Sequence, residues 1–219
     1  MTDKTTFGFQ SGVRIAVDRR GVLDKIKPTS FPYFENIDQR FGWYEGHPGQ
    51  NLWGLDRASG AYIFRPVKQT PHYPGNLNKA VLYEGPVVHE VHQQVVPQWL
   101  SQVIRTYGTD QDVEFEWLVG PIPISDSIGK EIITSYSCSD LKSSKTFYTD
   151  SNGRQMMRRE RDYRPTWKLN ETEPVSENYY PVNSRIALVD LETQFKQMTI
   201  LTDRSQGGSS MNDGQVYQG

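Results

Sequence analysis

Alternation of hydrophobic and polar residues dominates this chain and predicts β-strands rather than helices. Near the start, residues 13–17 (VRIAV) alternate in this way, and residues 22–26 (VLDKI) form a second short run. The segment between them, residues 18–21 (DRRG), has the composition of a turn. Two such runs joined by a short turn predict a β-hairpin.

Nine further segments have strand-like patterns and are separated by clusters of Gly, Pro and Asn. They are residues 61–65, 79–83, 86–96, 101–107, 113–119, 130–136, 146–149, 185–190 and 197–202. Asn152-Gly153 predicts a hairpin turn, because both residues tolerate positive φ. Helical periodicity is nearly absent, and residues 156–161 fit a short helix, a solvated strand or a loop equally well.

The number of strands predicts an all-β fold in the form of a large antiparallel β-sandwich. Residues 27–59 hold several Pro and Gly residues and are predicted to form long loops. Residues 1–10 are expected to be a disordered start, and the polar residues 205–219 (SQGGSSMNDGQVYQG) a flexible end. The β-domain itself is predicted to occupy residues 11–204.

Composition narrows the class of protein. Of the 219 residues, 36% are hydrophobic, which makes a thin core for this length, while 12% aromatic residues exclude plain disorder. The net charge of −2 and the pI near 6.1 argue against a nucleic-acid partner. No apolar run reaches the roughly 18 residues that predict a membrane-spanning helix. The start lacks the apolar core of a signal peptide, so none is expected in this chain.

The segment His89-Glu90-Val91-His92 invites comparison with the zinc-binding helix of metalloproteases. That motif places its two histidines on one helical face, four positions apart. Here the neighbouring valines favour a strand, in which the first and fourth residues point to opposite faces. Cys138 is the single cysteine, which excludes a disulfide framework and a cysteine-based zinc site within the chain. We therefore expect no metal site in these residues.

Glu114 and Glu116 form the most suggestive pair of carboxylates. On a strand they would share one face about 7 Å apart, near the carboxylate separations that glycosidases use. However, Val113, Phe115 and Trp117 would then form the buried face of the same strand. The pattern therefore favours a solvated face over a catalytic pair.

Two further features bear on function. The triplet NET at residues 170–172 is an acceptor sequence for N-glycosylation, which makes Asn170 a candidate modification site. Aromatic clusters that could stack on sugar rings occur at Trp43-Tyr44, Tyr62 and Tyr179-Tyr180. Aromatic residues of β-sandwiches lie more often in the core, so these clusters favour a sugar site only slightly.

Seven longer segments resemble the lysosomal-type α-mannosidases of glycoside hydrolase family 38 in sequence, order and spacing. They are ASGAYIFRP (58–66), VHEVHQ (88–93), VEFEWLVGPIPI (113–124), FYTDSNGR (147–154), RDYRPTWKLNETEPV (161–175), NYYPVNSRI (178–186) and LTDRSQGGSS (201–210). Residues 11–26 resemble the strand pair that opens the same region. The resemblance extends over roughly residues 11–214.

The resemblance implies a retaining, zinc-dependent exo-α-mannosidase that removes terminal mannose from N-glycan oligosaccharides in the lysosome or secretory pathway. In that family the zinc ligands, the nucleophile and the acid/base residue lie in an N-terminal catalytic α/β domain. A helical bundle and large β-domains of the galactose-mutarotase-like supersandwich type follow it. This chain resembles the first part of the β region and lacks those motifs. It is therefore expected to be incomplete at its C-terminus, to hold no catalytic residue or zinc ligand, and to have the catalytic domain as its partner.

One functional residue follows from the resemblance. The Tyr of the SGAY segment, here Tyr62, is implied to reach the sugar site from the β-domain and to touch the mannose ring of a glycan. A phenol suits this role, because its ring covers a sugar while its hydroxyl bonds a sugar oxygen. Two alternatives stay open: Tyr62 as an ordinary packed strand residue, and the chain as a stand-alone carbohydrate-binding or structural β-sandwich without hydrolase activity.

Overall fold

The computed structural model describes residues 5–18, 21–33, 35–50, 52, 56–60, 63–75, 79–193 and 195–219. Within these residues the chain is all-β, and its one helical element is a short 3-10 helix, Ser176–Asn178. The same residues contain no helix that is long and apolar enough to cross a membrane. The chain divides into two compact units, the first formed by Met1–Gln39 with Pro74–Asp126 and the second by Arg40–Tyr73 with Ser127–Gly219.

The strands form four sheets. In chain order they are β1 Thr5–Gly8, β2 Arg14–Val17, β3 Leu23–Lys27, β4 Glu35–Asn36, β5 Asp38–Glu45, β6 Lys79–Glu84, β7 Val88–Val96, β8 Leu100–Tyr107, β9 Glu114–Val119, β10 Lys130–Ser137, β11 Thr146–Ser151, β12 Gln155–Glu160, β13 Tyr180–Val182, β14 Arg185–Val189, β15 Gln197–Leu201, β16 Gln206–Ser209 and β17 Gln215–Gln218. The first unit holds the sheets β1-β2-β3-β4 and β6-β7-β8-β9. The second holds β12-β11-β14-β15 and most of β13-β16-β17-β10-β5.

The predicted hairpin is confirmed in the first unit, where β2 pairs with β3 and Ile15 lies opposite Ile26. Asp18 Oδ1 accepts the N–H of Val22 at 3.0 Å and closes the turn between the two strands. The core of this unit joins both of its sheets through Phe7, Ile15, Val17, Leu23, Val91 and Ile104. The alternation in the sequence therefore places its apolar residues on the inward faces.

Buried amides complete the interior of the first unit. Gln102 Nε2 donates to Gln93 Oε1 at 2.7 Å, and Gln39 Nε2 donates to Gln102 Oε1 at 3.0 Å. All three side chains are buried. A buried polar group is costly unless it is hydrogen-bonded, and here each amide supplies a partner for the next.

In the second unit, residues of the two sheets touch. Phe147 on β11 and Ile186 on β14 are fully buried. The Phe147 ring lies 5.7 Å from the ring of Tyr180 on β13. A Cβ atom at Gly208 on β16 would lie only 3.0 Å from Ile186 Cδ1, so the glycine permits this close approach.

Most sequence-based strand predictions are confirmed. Eight of the nine further segments form β6 to β11, β14 and β15, with ends shifted by at most two residues. Asn152 and Gly153 have φ values of 52° and 71°, as the predicted hairpin turn requires. Residues 156–161, for which three structures fitted equally well, lie mostly in β12. The predicted strand 61–65 differs, because residues 63–65 form no strand and residues 61 and 62 lie outside the described residues.

Other strands lie where the sequence predicts irregular structure. The expected loops at 27–59 contain β4 and β5, the expected flexible end at 205–219 contains β16 and β17, and the expected disordered start at 1–10 contains β1. On β5 buried residues lie on both faces, Phe41 on one and Tyr44 on the other, which removes the amphipathic alternation. β16 is polar and glycine-rich but lies inside its sheet between β13 and β17. These three predictions are therefore wrong where the strands lie.

One carboxylate joins the predicted Asn-Gly turn to the turn between β13 and β14. Asp150 Oδ1 accepts the N–H groups of Asn183, Ser184 and Arg185 at 2.9, 2.9 and 3.1 Å. Its Oδ2 accepts the N–H of Gly153 at 2.8 Å. Burial opposes ionisation, but these four backbone donors outweigh it and hold the pKa of Asp150 far below its usual range.

Replacing this carboxylate should destabilise the chain in a pH-dependent way. In Asp150→Asn an amide NH₂ replaces one acceptor oxygen and leaves a buried backbone N–H unpaired. We therefore expect the free energy of unfolding, measured in urea, to fall by about 2–4 kcal/mol. Because the folded-state pKa is lowered, the carboxylate contributes fully above the unfolded value of about 3.9 and loses its contribution as the pH falls further. The difference in unfolding free energy between wild type and variant should therefore be the same at pH 7 and pH 5 and should shrink below pH 4.

The matched control is Asp203→Asn, at a carboxylate that is 85% exposed. Surface substitutions of this kind change stability by about 0.5 kcal/mol or less. Two results would contradict the assigned role of Asp150. One is a urea midpoint of Asp150→Asn equal to that of the control, and the other is a difference in unfolding free energy from wild type that widens in acid.

Candidate functional site

Tyr62, the residue implied to contact the sugar, lies outside the described residues, as does Ala61. The residues on either side are described, and the segment 56–67 is called here the Tyr62 loop. The N–H of Gly60 donates to the carbonyl of Ile63 at 3.0 Å. The N–H of Arg65 donates to Ser59 Oγ at 3.1 Å. The segments that flank Tyr62 in the sequence are thus bonded to each other.

The Tyr62 loop is fastened to the segment that follows β5. The N–H of His47 donates to the carbonyl of Arg65 at 2.7 Å, and the N–H of Ser59 donates to the carbonyl of His47 at 2.9 Å. The N–H of Val67 donates to the carbonyl of Glu45, the last residue of β5, at 2.8 Å. Backbone bonds therefore fix the base of the loop to a sheet strand.

A side-chain ion pair holds the loop from a second direction. Arg65 Nε lies 2.6 Å from Glu173 Oε1, and the two side chains are 20% and 25% exposed. Glu177 fixes the partner segment, because its Oε1 accepts the N–H groups of Thr172 and Glu173 at 3.0 and 2.9 Å. Sequence reasoning missed Arg65 and Glu173. Both lie in segments that carry the family resemblance, but their spacing gives no sign of a contact.

An aromatic layer lies beside the loop. Tyr44 and Tyr217 are buried in one cluster with Val175, and Phe64 and Tyr179 pack against it. The rings of Tyr44 and Phe64 meet edge to face at 5.6 Å. Phe64 belongs to the Tyr62 loop, so this cluster (called here the tyrosine cluster) anchors the loop through packing as well as polar bonds.

Two of the predicted aromatic pairs are split by the structure. Tyr44 and Tyr179 both join the tyrosine cluster, whereas their neighbours do not. Trp43 stacks on His72 with ring centroids 6.0 Å apart, and Tyr180 lies beneath the Arg159 guanidinium at 4.4 Å. Successive residues of a strand point to opposite faces, which accounts for the split at Trp43-Tyr44.

Burial limits the chemistry that the hydroxyl groups of the tyrosine cluster can perform. Burial raises the pKa of Tyr44, Tyr179 and Tyr217 well above the usual range of a phenol. These hydroxyls therefore remain neutral at physiological and acidic pH. They pack as neutral groups, and the Tyr217 hydroxyl also donates to Gln215 Oε1 at 3.0 Å.

The carboxylate pair lies on the solvent side of its sheet, as the alternating pattern favours. Glu114 and Glu116 are exposed on β9, while Phe115 and Trp117 are partly buried. Arg105 Nη1 lies 2.9 Å from Glu114 Oε1 and 2.5 Å from Glu116 Oε2. Both carboxylates thus share one guanidinium on an open sheet face. This arrangement is that of a surface ion-pair network rather than of a catalytic pair.

The two histidines of β7 point to opposite faces, as predicted. His89 Nδ1 accepts the N–H of Gly8 at 3.2 Å, whereas His92 Nε2 lies 2.8 Å from Glu90 Oε2. Hydrogen bonds from His92 and then Arg105 lower the pKa of Glu90. Among the described residues no group of three or more His, Cys, Asp or Glu side chains could hold a metal ion. These residues therefore do not fit a zinc site.

Asn170 is exposed, in the loop that runs from β12 to the 3-10 helix. The third residue of its acceptor triplet, Thr172, donates from Oγ1 to Glu177 Oε1 at 3.1 Å. The side chain of Trp167, in the same loop, is 57% exposed. The position is open to a modifying enzyme, and its glycosylation stays a prediction.

Comparison with known proteins identifies similar chains. The model of the glycosyl hydrolases family 38 C-terminal domain matches residues 13–217. The lysosomal alpha-mannosidase of Homo sapiens is 51% identical over 196 residues, which cover 90% of this chain and 19% of that protein. The corresponding protein of Cavia porcellus is 50% identical over 196 residues, with coverage of 90% and 19%. The alpha-mannosidase of Canavalia ensiformis is 43% identical over 181 residues, with coverage of 82% and 18%. The chain thus spans about a fifth of the length of these relatives.

Proposed function

Because the chain belongs to the family of glycosyl hydrolase family 38 C-terminal domains, we propose that it is the β-domain part of an α-mannosidase. The intact enzyme would remove terminal α-linked mannose from N-glycan oligosaccharides. The observation that carries this proposal is the identity of about half of the aligned residues to lysosomal alpha-mannosidases. The lysosome is the proposed location, since those relatives are named for it.

The proposed architecture is a β-sandwich of the galactose-mutarotase-like supersandwich type. The contact between the two sheets of the second unit supports it, with Phe147 and Ile186 fully buried on one sheet. The ring of Phe147 meets Tyr180 of the other sheet at 5.7 Å. This packing is what a two-layer β-fold needs to bury its inner faces.

We propose that the catalytic chemistry of the intact enzyme takes place outside this chain. The described residues offer exposed carboxylates that are bound to Arg105, neutral buried phenols, and no metal-binding group. The zinc and the reacting carboxylates would accordingly lie in a catalytic α/β domain, which is the proposed partner of this β-domain. The double displacement that the family resemblance implies would then take place there.

The proposed contribution of this chain is one wall of the sugar site. Tyr62 would place its ring against the mannose and hydrogen-bond a sugar oxygen through its hydroxyl. The hydrogen bonds and packing of the described residues 56–60 and 63–67 support this role, because they fix the segments that flank Tyr62 in the sequence. In this role Tyr62 would orient the sugar, and the reacting groups would lie in the catalytic domain.

A chimeric enzyme tests the proposed function. Residues 13–217 of this chain would replace the matching segment of the human lysosomal alpha-mannosidase. The chimera should hydrolyse p-nitrophenyl α-mannoside. Tyr62→Ala should lower its kcat/KM about 10- to 100-fold through loss of ring and hydroxyl contacts, and Tyr62→Phe only about 3- to 10-fold through loss of one neutral hydrogen bond.

The control for this experiment is Tyr83→Ala, at a tyrosine that is 55% exposed on β6 of the first unit. It should leave kcat/KM unchanged. Equal kinetics for Tyr62→Ala and the parent chimera would remove Tyr62 from the sugar site. Glycan-array binding by the isolated 219-residue chain, together with a folded chimera that has no turnover, would favour the stand-alone carbohydrate-binding alternative.

Asn170 is proposed as an N-glycosylation site. When the chain passes through a secretory pathway, we expect one glycan at this exposed position. Mass spectrometry should show a mass that an endoglycosidase removes and that Asn170→Gln lacks. Thr172→Ser keeps the acceptor triplet and should keep the glycan. Secreted protein with an unmodified Asn170 would refute the assignment.

A further inference from the structure

Trp167 is the most exposed tryptophan among the residues that the structure describes. It is 57% exposed, whereas Trp43, Trp99 and Trp117 are only partly exposed. A large aromatic side chain in water forgoes the free energy that burial of its apolar surface would supply. Trp167 is therefore a candidate for contact with a group that the polypeptide itself does not supply.

The loop between β12 and the 3-10 helix, which carries this tryptophan, is fixed at both ends. At its start, Asn178 Oδ1 accepts the N–H of Asp162 at 2.9 Å. At its end, Glu177 Oε1 accepts the N–H of Thr172 at 3.0 Å. Both acceptors belong to the 3-10 helix. Residues 163–171 thus form a closed loop whose two ends are bonded to the same short element.

The glycan acceptor Asn170 lies on this loop, three residues after Trp167, and is also exposed. Three residues span at most about 11 Å even when they are fully extended. Residues 165–167 turn rather than run as a strand, so the alternation that directs strand residues three apart to opposite faces does not apply. The indole and a sugar attached to the Asn170 amide can therefore meet on the outside of the loop.

The first sugar of an N-glycan has a surface that suits an indole. A pyranose ring presents C–H groups on its faces, while its hydroxyl groups point outward around the rim. Such a face packs on the electron-rich face of an aromatic ring and removes apolar surface of both from water. The hydroxyl groups at the rim stay in solvent, so the contact buries no unpaired polar group.

We propose that Trp167 stacks on the first N-acetylglucosamine of a glycan at Asn170 and so fastens that glycan to the loop. The proposal rests on the glycosylation of Asn170 proposed above. The sugar is covalently tethered three residues away, so the contact forms at a high effective concentration. Because it forms only when the loop is folded, the contact stabilises the native state over the unfolded chain.

A thermal double-mutant cycle on the 219-residue chain tests this contact without any assay of activity. The chain is secreted from eukaryotic cells, and its glycan is trimmed to a single N-acetylglucosamine. Asn170→Gln, which removes the sugar, should lower the melting temperature by about 2–4 °C, the shift expected for one aromatic contact in a chain of this size. In a Trp167→Ala background the same substitution should lower it by less than about 1 °C.

Proton NMR gives a readout that stability alone would not move. The ring current of an indole shifts protons above its face upfield, so the sugar protons should lie upfield of their positions in Trp167→Ala. Trp167→Phe keeps an aromatic face and should keep most of both effects. The control is Tyr163→Ala, at a tyrosine that is 49% exposed on the same loop. It should change neither the effect of the sugar on the melting temperature nor the sugar proton shifts.

Mass spectrometry separates this proposal from the glycosylation on which it rests. An unmodified Asn170 refutes the glycosylation, and the stacking falls with it. If Asn170 carries the sugar but its loss lowers the melting temperature equally in both backgrounds, or the sugar protons are not shifted by Trp167, the stacking alone is overturned. It is also overturned if Trp167→Ala lowers kcat/KM of the chimeric enzyme equally with and without the Asn170 glycan, since the indole would then serve the catalytic domain or the substrate instead.

Discussion

The loops of the second unit depend on acidic side chains that accept hydrogen bonds from backbone N–H groups. Strand ladders satisfy the N–H groups of strands, but a loop must find its acceptors elsewhere. Asp150, Asp190, Asp213 and Glu177 each accept at least two such bonds. A carboxylate suits the task, because charged acceptors form stronger hydrogen bonds than neutral ones. Through Glu177 the same device fixes the segment of Glu173, whose carboxylate lies 2.6 Å from Arg65 Nε.

Two of these acceptors, Asp150 and Asp190, have lowered pKa values that suit an acidic compartment. Four backbone N–H groups overcome the effect of burial and hold the pKa of Asp150 far below its usual range. Hydrogen bonds from the Thr193 side chain and from backbone N–H groups likewise lower the pKa of Asp190. A lowered folded-state pKa means that the contribution to stability persists in mild acid and is lost only at still lower pH. This behaviour agrees with the lysosomal location proposed from the relatives.

Local patterns predicted the parts of the fold that local chemistry decides. The β2–β3 hairpin and the Asn152-Gly153 turn follow from alternation and from tolerance of positive φ. β5 was missed because it has buried residues on both faces, Phe41 and Tyr44, and so lacks a simple alternation. β16 was missed because neighbouring side chains fill the space beside Gly207 and Gly208. The Arg65–Glu173 pair could not be predicted at all, since only the folded chain brings these residues together. Family resemblance supplied Tyr62, a role that no pattern in the residues shows.

We propose that this β-domain forms one wall of a mannose-binding site and that Tyr62 contacts the sugar there. A crystal structure of the chimeric mannosidase with mannose bound tests it most directly. We expect the Tyr62 ring within about 4.5 Å of the sugar and its hydroxyl within about 3 Å of a sugar oxygen. A bound mannose out of reach of Tyr62, with residues 56–67 directed away from the sugar, would refute the proposed role of this β-domain.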